Sequence, residues 1–210
     1  FYYKQQTNHL TKNDSELLRK RAKIKEKYVK NEKMKKLDVL TIIPVRGPEI
    51  DPSSMHLRKL GDKHLINWTI DSAINSNYCK DIIISSPDIN IKKHIERYYN
   101  SEKIITHNRN PKFAKLNLGI ENTIEEAVSV YIKKSKMPDA ILILYADYPF
   151  KQHWQIDEII NTMMIFDVDA VDGIMPDDRF YYKHDGGGLK PTVKGGGLHL
   201  ERDQLFRRVG

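Results

Sequence analysis

From Val39 onward the chain alternates short apolar runs with longer amphipathic stretches, and this alternation restricts the fold more than any other feature. The runs are VLTIIPV (39–45), DIIISSPD (81–88), EKIITHN (102–108), DAILILYAD (139–147) and DAVDGIM (169–175). They are rich in β-branched residues and lack polar–apolar alternation, the pattern of strands buried on both faces. Between them lie HLINWTIDSAINS (64–76), INIKKHIERYYN (89–100), IENTIEEAVSVYIKKS (120–135), with an Asn/Thr start, and WQIDEIINTMMIFD (154–167), all helical in pattern. Strands alternating with helices across short loops predict an α/β domain over 39–210. Its architecture is three layers, a mainly parallel sheet with helices on both faces, and DAILILYAD reads as its strongest strand. Ligands of such sheets bind beyond the carboxyl ends of the strands.

The ends differ in texture. Residues 1–14 are polar and aperiodic, and Asn13-Asp14-Ser15 can cap a helix over 16–36. Leu17, Ile24 and Tyr28 fall on one side of that helix, with Leu18, Ala22 and Val29 close by. Residues 1–38 hold twelve Lys/Arg against five Asp/Glu, whereas the remaining 172 residues hold 23 of each. The net charge of +7 therefore belongs to this basic extension, read as a solvated connector helix, and a basic groove for nucleic acid is not expected on the fold. Beyond Pro176, two Gly-Gly-Gly-Leu runs read as turns, the first as a hairpin after Asp185. The chain opens on Phe1 rather than Met and ends on Val209-Gly210, and reads as a C-terminally incomplete piece of a longer polypeptide.

With 30% charged residues and no apolar run near the ~20 residues of a membrane helix, the chain reads as soluble, without membrane insertion. The lone Cys79 excludes an internal disulfide and a Cys-based zinc site. It reads as a partly buried residue at a helix end and suits a reducing cytoplasm. The histidines, His56 among them, are scattered without metal-ligand spacing and read as ordinary polar residues.

Candidate chemistry gathers where the runs end. Arg46 and Gly47 close the first; glycine permits close backbone approach and an arginine fork suits phosphate oxygens, although a loop arginine on the surface is the plain alternative. Asp147 closes the fourth, where a carboxylate can hold Mg2+ or simply cap a helix. Ser86 and Asp88 close the second, and Asp88 serves equally well as the cap of the next helix.

VLTIIPVRG followed by LRKLGDKHLINWTI resembles the opening of the acylneuraminate cytidylyltransferases, in which a strand ends in Pro-Ala-Arg-Gly and Leu-x-Gly-Lys-Pro-Leu-Ile leads into a helix. IIISSPD, LILYADYPF, DVDAVDGIM, FYYKHDGGGLKP and ERDQLFRR continue the likeness over residues 39–210. The resemblance implies a Rossmann-like nucleotidyltransferase fold and transfer of CMP from CTP to a sugar acid, Mg2+-dependent, releasing pyrophosphate, in a homo-oligomer such as a dimer. By the same likeness Arg46 contacts the triphosphate and Gly47 shapes its loop. Ser86 and Asp88 fall where the nucleotide is approached, and Arg109 matches an Arg-Pro segment whose proline is Asn110 here; Asp147 resembles the acid of the Gly-Asp-x-Pro segment of the related Kdo cytidylyltransferases and other sugar nucleotidyltransferases, which implies Mg2+ binding. The family's loop carries two lysines, and this one reads Gly47-Pro48-Glu49-Ile50-Asp51-Pro52-Ser53-Ser54-Met55-His56, with Met55-His56 at the family's Lys-Asn. At ~4 Å and near-surface dielectric, an acid facing a phosphate costs on the order of 4 kcal/mol before screening. Two other readings therefore stand: a catalytically divergent binding or assembly module of a larger protein, and a sugar nucleotidyltransferase using UTP or GTP.

Overall fold

A computed structural model describes residues 37–115, 117–177, 179–192 and 205–209. The expected helix over 16–36 and the second glycine run lie outside the described residues. Among the described residues the central sheet has four parallel strands: β1 (Val39–Pro44), β4 (Cys79–Ser86), β5 (Ile104–Asn108) and β6 (Ala140–Ile143), in the order β5-β4-β1-β6. Two short strands, β2 (Lys59–Leu60) and β3 (Lys63–His64), pair antiparallel just before the first helix.

Strand β1 is central and buried on both faces, as its unbroken apolar run requires. Val39, Ile43 and Val45 join one core with Ile82 and Ile84 of β4; Leu40 and Ile42 join the other with Ile83. Helices α1 (Leu65–Asn75), α2 (Ile89–Tyr98) and α4 (His153–Phe166) supply Ile66, Ile70, Ile91, Ile95, Ile156 and Ile160 to the first core. Helix α3 (Glu121–Tyr131) covers the opposite face with Ala127, Val128 and Tyr131. These are three- and four-residue spacings, so each helix buries a single stripe. Helices on both faces of a parallel sheet are what the sequence predicts. A buried acid, Asp157 of α4, bolts this layer to the end of α1. It accepts from Ser76 Oγ (2.6 Å), Asn77 N (3.0 Å) and Asn77 Nδ2 (2.6 Å). Among the described residues, no helix is long and apolar enough to cross a membrane.

Four expectations need correction. The 169–175 run does not enter the central sheet. Strand β7 (Ile174–Asp177) pairs antiparallel with β10 (Leu205–Arg208), and three of its four residues are exposed. Asp169 and Asp172 interrupt its apolar character, which leaves nothing to bury on two faces. Strand β6 is shorter than its sequence suggests and, among the described residues, pairs only with β1; Ile141 is 40% exposed. Cys79 is fully buried and opens β4 rather than ending a helix, and burial pushes its thiol above the usual range. Helix α3 is preceded by Ile120, not an Asn or Thr cap, and Glu121 in its first turn favours the positive helix end. The first glycine run does form the expected hairpin: β8 (Tyr182–His184) and β9 (Leu189–Pro191) pair antiparallel across Asp185–Gly188.

Ile42→Ala and Ile43→Ala remove side chains from opposite faces of β1. Each is expected to lower the unfolding free energy by about 2–5 kcal/mol, whereas Ile141→Ala costs under about 1 kcal/mol. Urea denaturation checks this, and a near-neutral Ile42→Ala would contradict burial of β1 on both faces.

Candidate active site

The chain leaves β1 toward β4 and β5, then crosses back to β6, so the strand order switches direction between β1 and β6. A crevice forms at such a point, beyond the carboxyl ends of the strands. Residues 45–58 follow β1 and residues 144–151 follow β6 at this edge of the sheet.

The β1 loop is held from below by Asp88. Gly47 has φ +74°, the left-handed region, and a Cβ added there would collide with the Asp88 carboxylate. That carboxylate is buried. It accepts from Asn90 N (2.7 Å), capping α2, and from Glu49 N (2.9 Å). Asp88 N donates to Ser86 Oγ (3.1 Å). Ser86 and Asp88 thus act on the crevice through the loop they hold. The two acids of the loop have partners of their own. Glu49 Oε1 accepts from Asn90 Nδ2 (2.8 Å), at the N-terminus of α2. Asp51 accepts from the Ser53 amide (3.0 Å) and hydroxyl (2.5 Å), which hold its carboxyl below the usual range; Arg46 and His56 add smaller attractions.

Both arginines brace the loop after β5. Arg46 Nε donates to Ala114 O (2.9 Å) and Nη2 to Lys115 O (3.4 Å), tying β1 to the 3-10 turn Pro111–Ala114. Arg109 is only 4% exposed. Its Nη2 donates to Val45 O (3.0 Å) and its Nη1 to Thr123 Oγ1 (3.3 Å), while Nε has no hydrogen-bond partner among the described residues. Burial lowers its pKa to about 10; repulsion from Arg46 adds to this and Glu126 opposes it. Arg109 is a buried strut between β1, β5 and α3.

Across the crevice, the Asp147 side chain is 68% exposed. Its carboxyl is held below the usual range, first by His56, with a smaller attraction from Arg46. His56 Nε2 stands 3.3 Å from Asp147 Oδ1, an ion-pair distance. Lys151 secures this loop from beneath: Nζ donates to Tyr145 O (2.7 Å) and Tyr148 O, the carbonyls flanking Asp147, and lies 3.5 Å from Thr69 Oγ1 on α1. Its own carbonyl accepts from Ser72 Oγ (2.6 Å).

The structure thus places Arg46 and Gly47 just past the end of β1 and Asp147 just past the end of the neighbouring β6, with Ser86, Asp88 and Arg109 buried. Sequence reasoning missed His56 and Lys151. His56 had one signal, its place at the end of the glycine loop; Lys151, four residues past Asp147, had none. A cavity of about 210 Å3, floored by Ile84, Ile91 and Ile95 and lined by Ser86, Asp88 and Lys92, adjoins Asp88 but does not include Arg46, Gly47 or Asp147. Among the described residues no group of three or more His, Cys, Asp or Glu could hold a metal. One carboxylate with open positions nonetheless fits a cation that phosphates also bind.

No family model matches the chain, and no curated protein matches it by sequence. Solved structures share the fold. The 4-diphosphocytidyl-2C-methyl-D-erythritol synthase of Anaerococcus prevotii superposes with a TM-score of 0.60 at 13% identity, covering 84% of this chain and 69% of its own. The 2-C-methyl-D-erythritol 4-phosphate cytidylyltransferase of Francisella tularensis superposes at 0.54 and 16%, covering 82% and 70%. The chain therefore has the α/β nucleotidyltransferase-like fold.

Burial lowers Lys151 from the ordinary 10.5 to about 8, against the attraction of Asp147. The folded chain then holds this proton less tightly than the unfolded chain. Below about 8 both forms carry it; between there and the ordinary value the unfolded chain carries more, so stability rises with pH. Thermal unfolding of wild type and Lys151→Met should diverge in favour of wild type over that window. A constant difference would contradict the assignment.

Proposed function

We propose that this chain is a nucleotidyltransferase that moves CMP from CTP to the oxygen of a sugar acid, a sialic acid-like nonulosonate or Kdo-like compound, releasing pyrophosphate. The observation that carries the reading is the facing of Arg46-Gly47 and Asp147 across the switch-point crevice. The neighbours' names point the same way, since both are enzymes of cytidylyl transfer. The sugar acid comes from the motif likeness over 39–210.

In the reaction an oxygen of the acceptor forms a bond to the α-phosphorus of CTP, and the bond from that phosphorus to the β-phosphate oxygen breaks. Positioning and charge neutralisation supply most of the catalysis in such displacements. Gly47, lacking a side chain and left-handed, lets the phosphates approach the loop backbone. Arg46 exchanges the carbonyls of Ala114 and Lys115 for phosphate oxygens. Asp147, kept ionised beside His56, supplies the carboxylate for Mg2+. Bound there, the ion would neutralise charge on the phosphates and the leaving pyrophosphate. Glu49 is tethered to Asn90 and Asp51 to Ser53. These tethers reduce the repulsion that the loop's composition suggests.

A second reading has its own support: Arg46 already holds two backbone carbonyls, and the loop lacks the lysines that would help to release it. The protein would then keep the fold as a non-catalytic module. Incubation with CTP, Mg2+ and a panel of nonulosonic acids, beside UTP and GTP, separates the readings. The proposal expects CTP-dependent pyrophosphate release and a CTP-dependent rise in Tm, both reduced at least about tenfold in Arg46→Ala and Asp147→Ala. No release and no shift with any nucleotide would leave the module reading; release with UTP or GTP alone would reassign the nucleotide.

A further inference from the structure

The nucleotide reading leaves one side chain of the crevice without a role. His56 is 8% exposed, and its Nε2 is buried with no aligned hydrogen-bond partner among the described residues. One hydrogen bond holds the ring and another holds its backbone. Nδ1 lies 2.8 Å from Ser54 Oγ, and the His56 carbonyl accepts from Ile66 N (3.1 Å) at the start of α1. In the tautomer whose Nδ1–H donates to Ser54 Oγ, Nε2 keeps its lone pair for a metal, and such outer partners orient metal-binding imidazoles. Nε2 faces the Asp147 carboxylate at 3.3 Å. Two ligand atoms about 2.1 Å from one ion stand roughly 3.0–3.4 Å apart at octahedral or tetrahedral angles. Asp147 is exposed enough for its carboxylate to turn and admit an ion.

We propose that His56 Nε2 and Asp147 together hold one divalent cation, and that the imidazole makes this site select a transition ion such as Mn2+ over Mg2+. Imidazole binds first-row transition ions well, whereas Mg2+ favours an all-oxygen shell. Water completes the shell in the free protein. Phosphate oxygens replace it with nucleotide bound, and only that last step rests on the function proposed above. A His–Asp ion pair with no metal role is the competing explanation.

Mn2+ titrated into the nucleotide-free protein and followed by electron paramagnetic resonance tests this. Mn2+ should bind at least about tenfold more tightly than Mg2+, as read by competition. The electron spin echo of the bound ion should show modulation from an imidazole nitrogen. His56→Gln should lose that modulation and about tenfold or more of the Mn2+ affinity, leaving Mg2+ affinity nearly unchanged; Asp147→Asn should lose both ions. No Mn2+ binding, bound Mn2+ without nitrogen modulation, or equal Mn2+ affinity in His56→Gln would overturn the proposal. If His56→Gln fails to fold by circular dichroism, the wild-type modulation decides alone. CTP plays no part in this experiment, so its failure is distinct from failure of the proposed reaction.

Discussion

Burial of β1 on both faces determines where the rest of the crevice stands. Leu40 and Ile42 lock it to α3, and Val39, Ile43 and Val45 lock it to the helices opposite. The strand must therefore end at one place, and Arg46 and Gly47 emerge there. Three further ties hold that end. Val45 N donates to Ser85 O (2.9 Å), Val45 O accepts from Arg109, and the Gly47 backbone packs on Asp88. A loop on such a scaffold is positioned by its core rather than by its own sequence, which is how α/β folds carry different chemistries on one frame.

Charge is distributed in the same economical way. The ionised side chains bordering the crevice mostly hold the backbone: Asp88 two amides, Arg46 two carbonyls, Lys151 the two carbonyls around Asp147. Each would be costly to leave unpaired at partial burial. Asp147 is the exception. Its carboxylate is exposed, ionised, and faced by an imidazole whose Nε2 has no aligned hydrogen-bond partner among the described residues. An electrostatic count from sequence alone treats Glu49 and Asp51 as free negative charges; tethering to Asn90 and Ser53 changes their local effect without changing the total.

The layered architecture was legible because it is written in period: apolar runs with no alternation, separated by stripes at helical spacing. The sheet edges were less legible. DAILILYAD looks as apolar as a central strand, yet among the described residues β6 pairs on one side only, because strand order is a tertiary property that local pattern does not encode. DAVDGIM failed for a related reason: its aspartates let it pair outside the sheet, with a partner some thirty residues away. At the site, position along the strand ends was enough to find Arg46, Gly47 and Asp147. It could not say that Asp88 and Arg109 turn inward, since burial of a charged side chain depends on partners from other elements. His56 and Lys151 were missed because each works only in company, His56 with Asp147 across the crevice and Lys151 with carbonyls that no motif records.

Under the proposed function, the loops beyond the ends of β1 and β6 receive a nucleoside triphosphate. A crystal structure of the chain with CTP and a divalent cation tests it most directly. Triphosphate density is expected against the Gly47 backbone, with Arg46 swung from Ala114 and Lys115 onto phosphate oxygens and the cation between the phosphates and Asp147. An empty crevice with Arg46 still on those carbonyls, or nucleotide bound at another place on the fold, would contradict it.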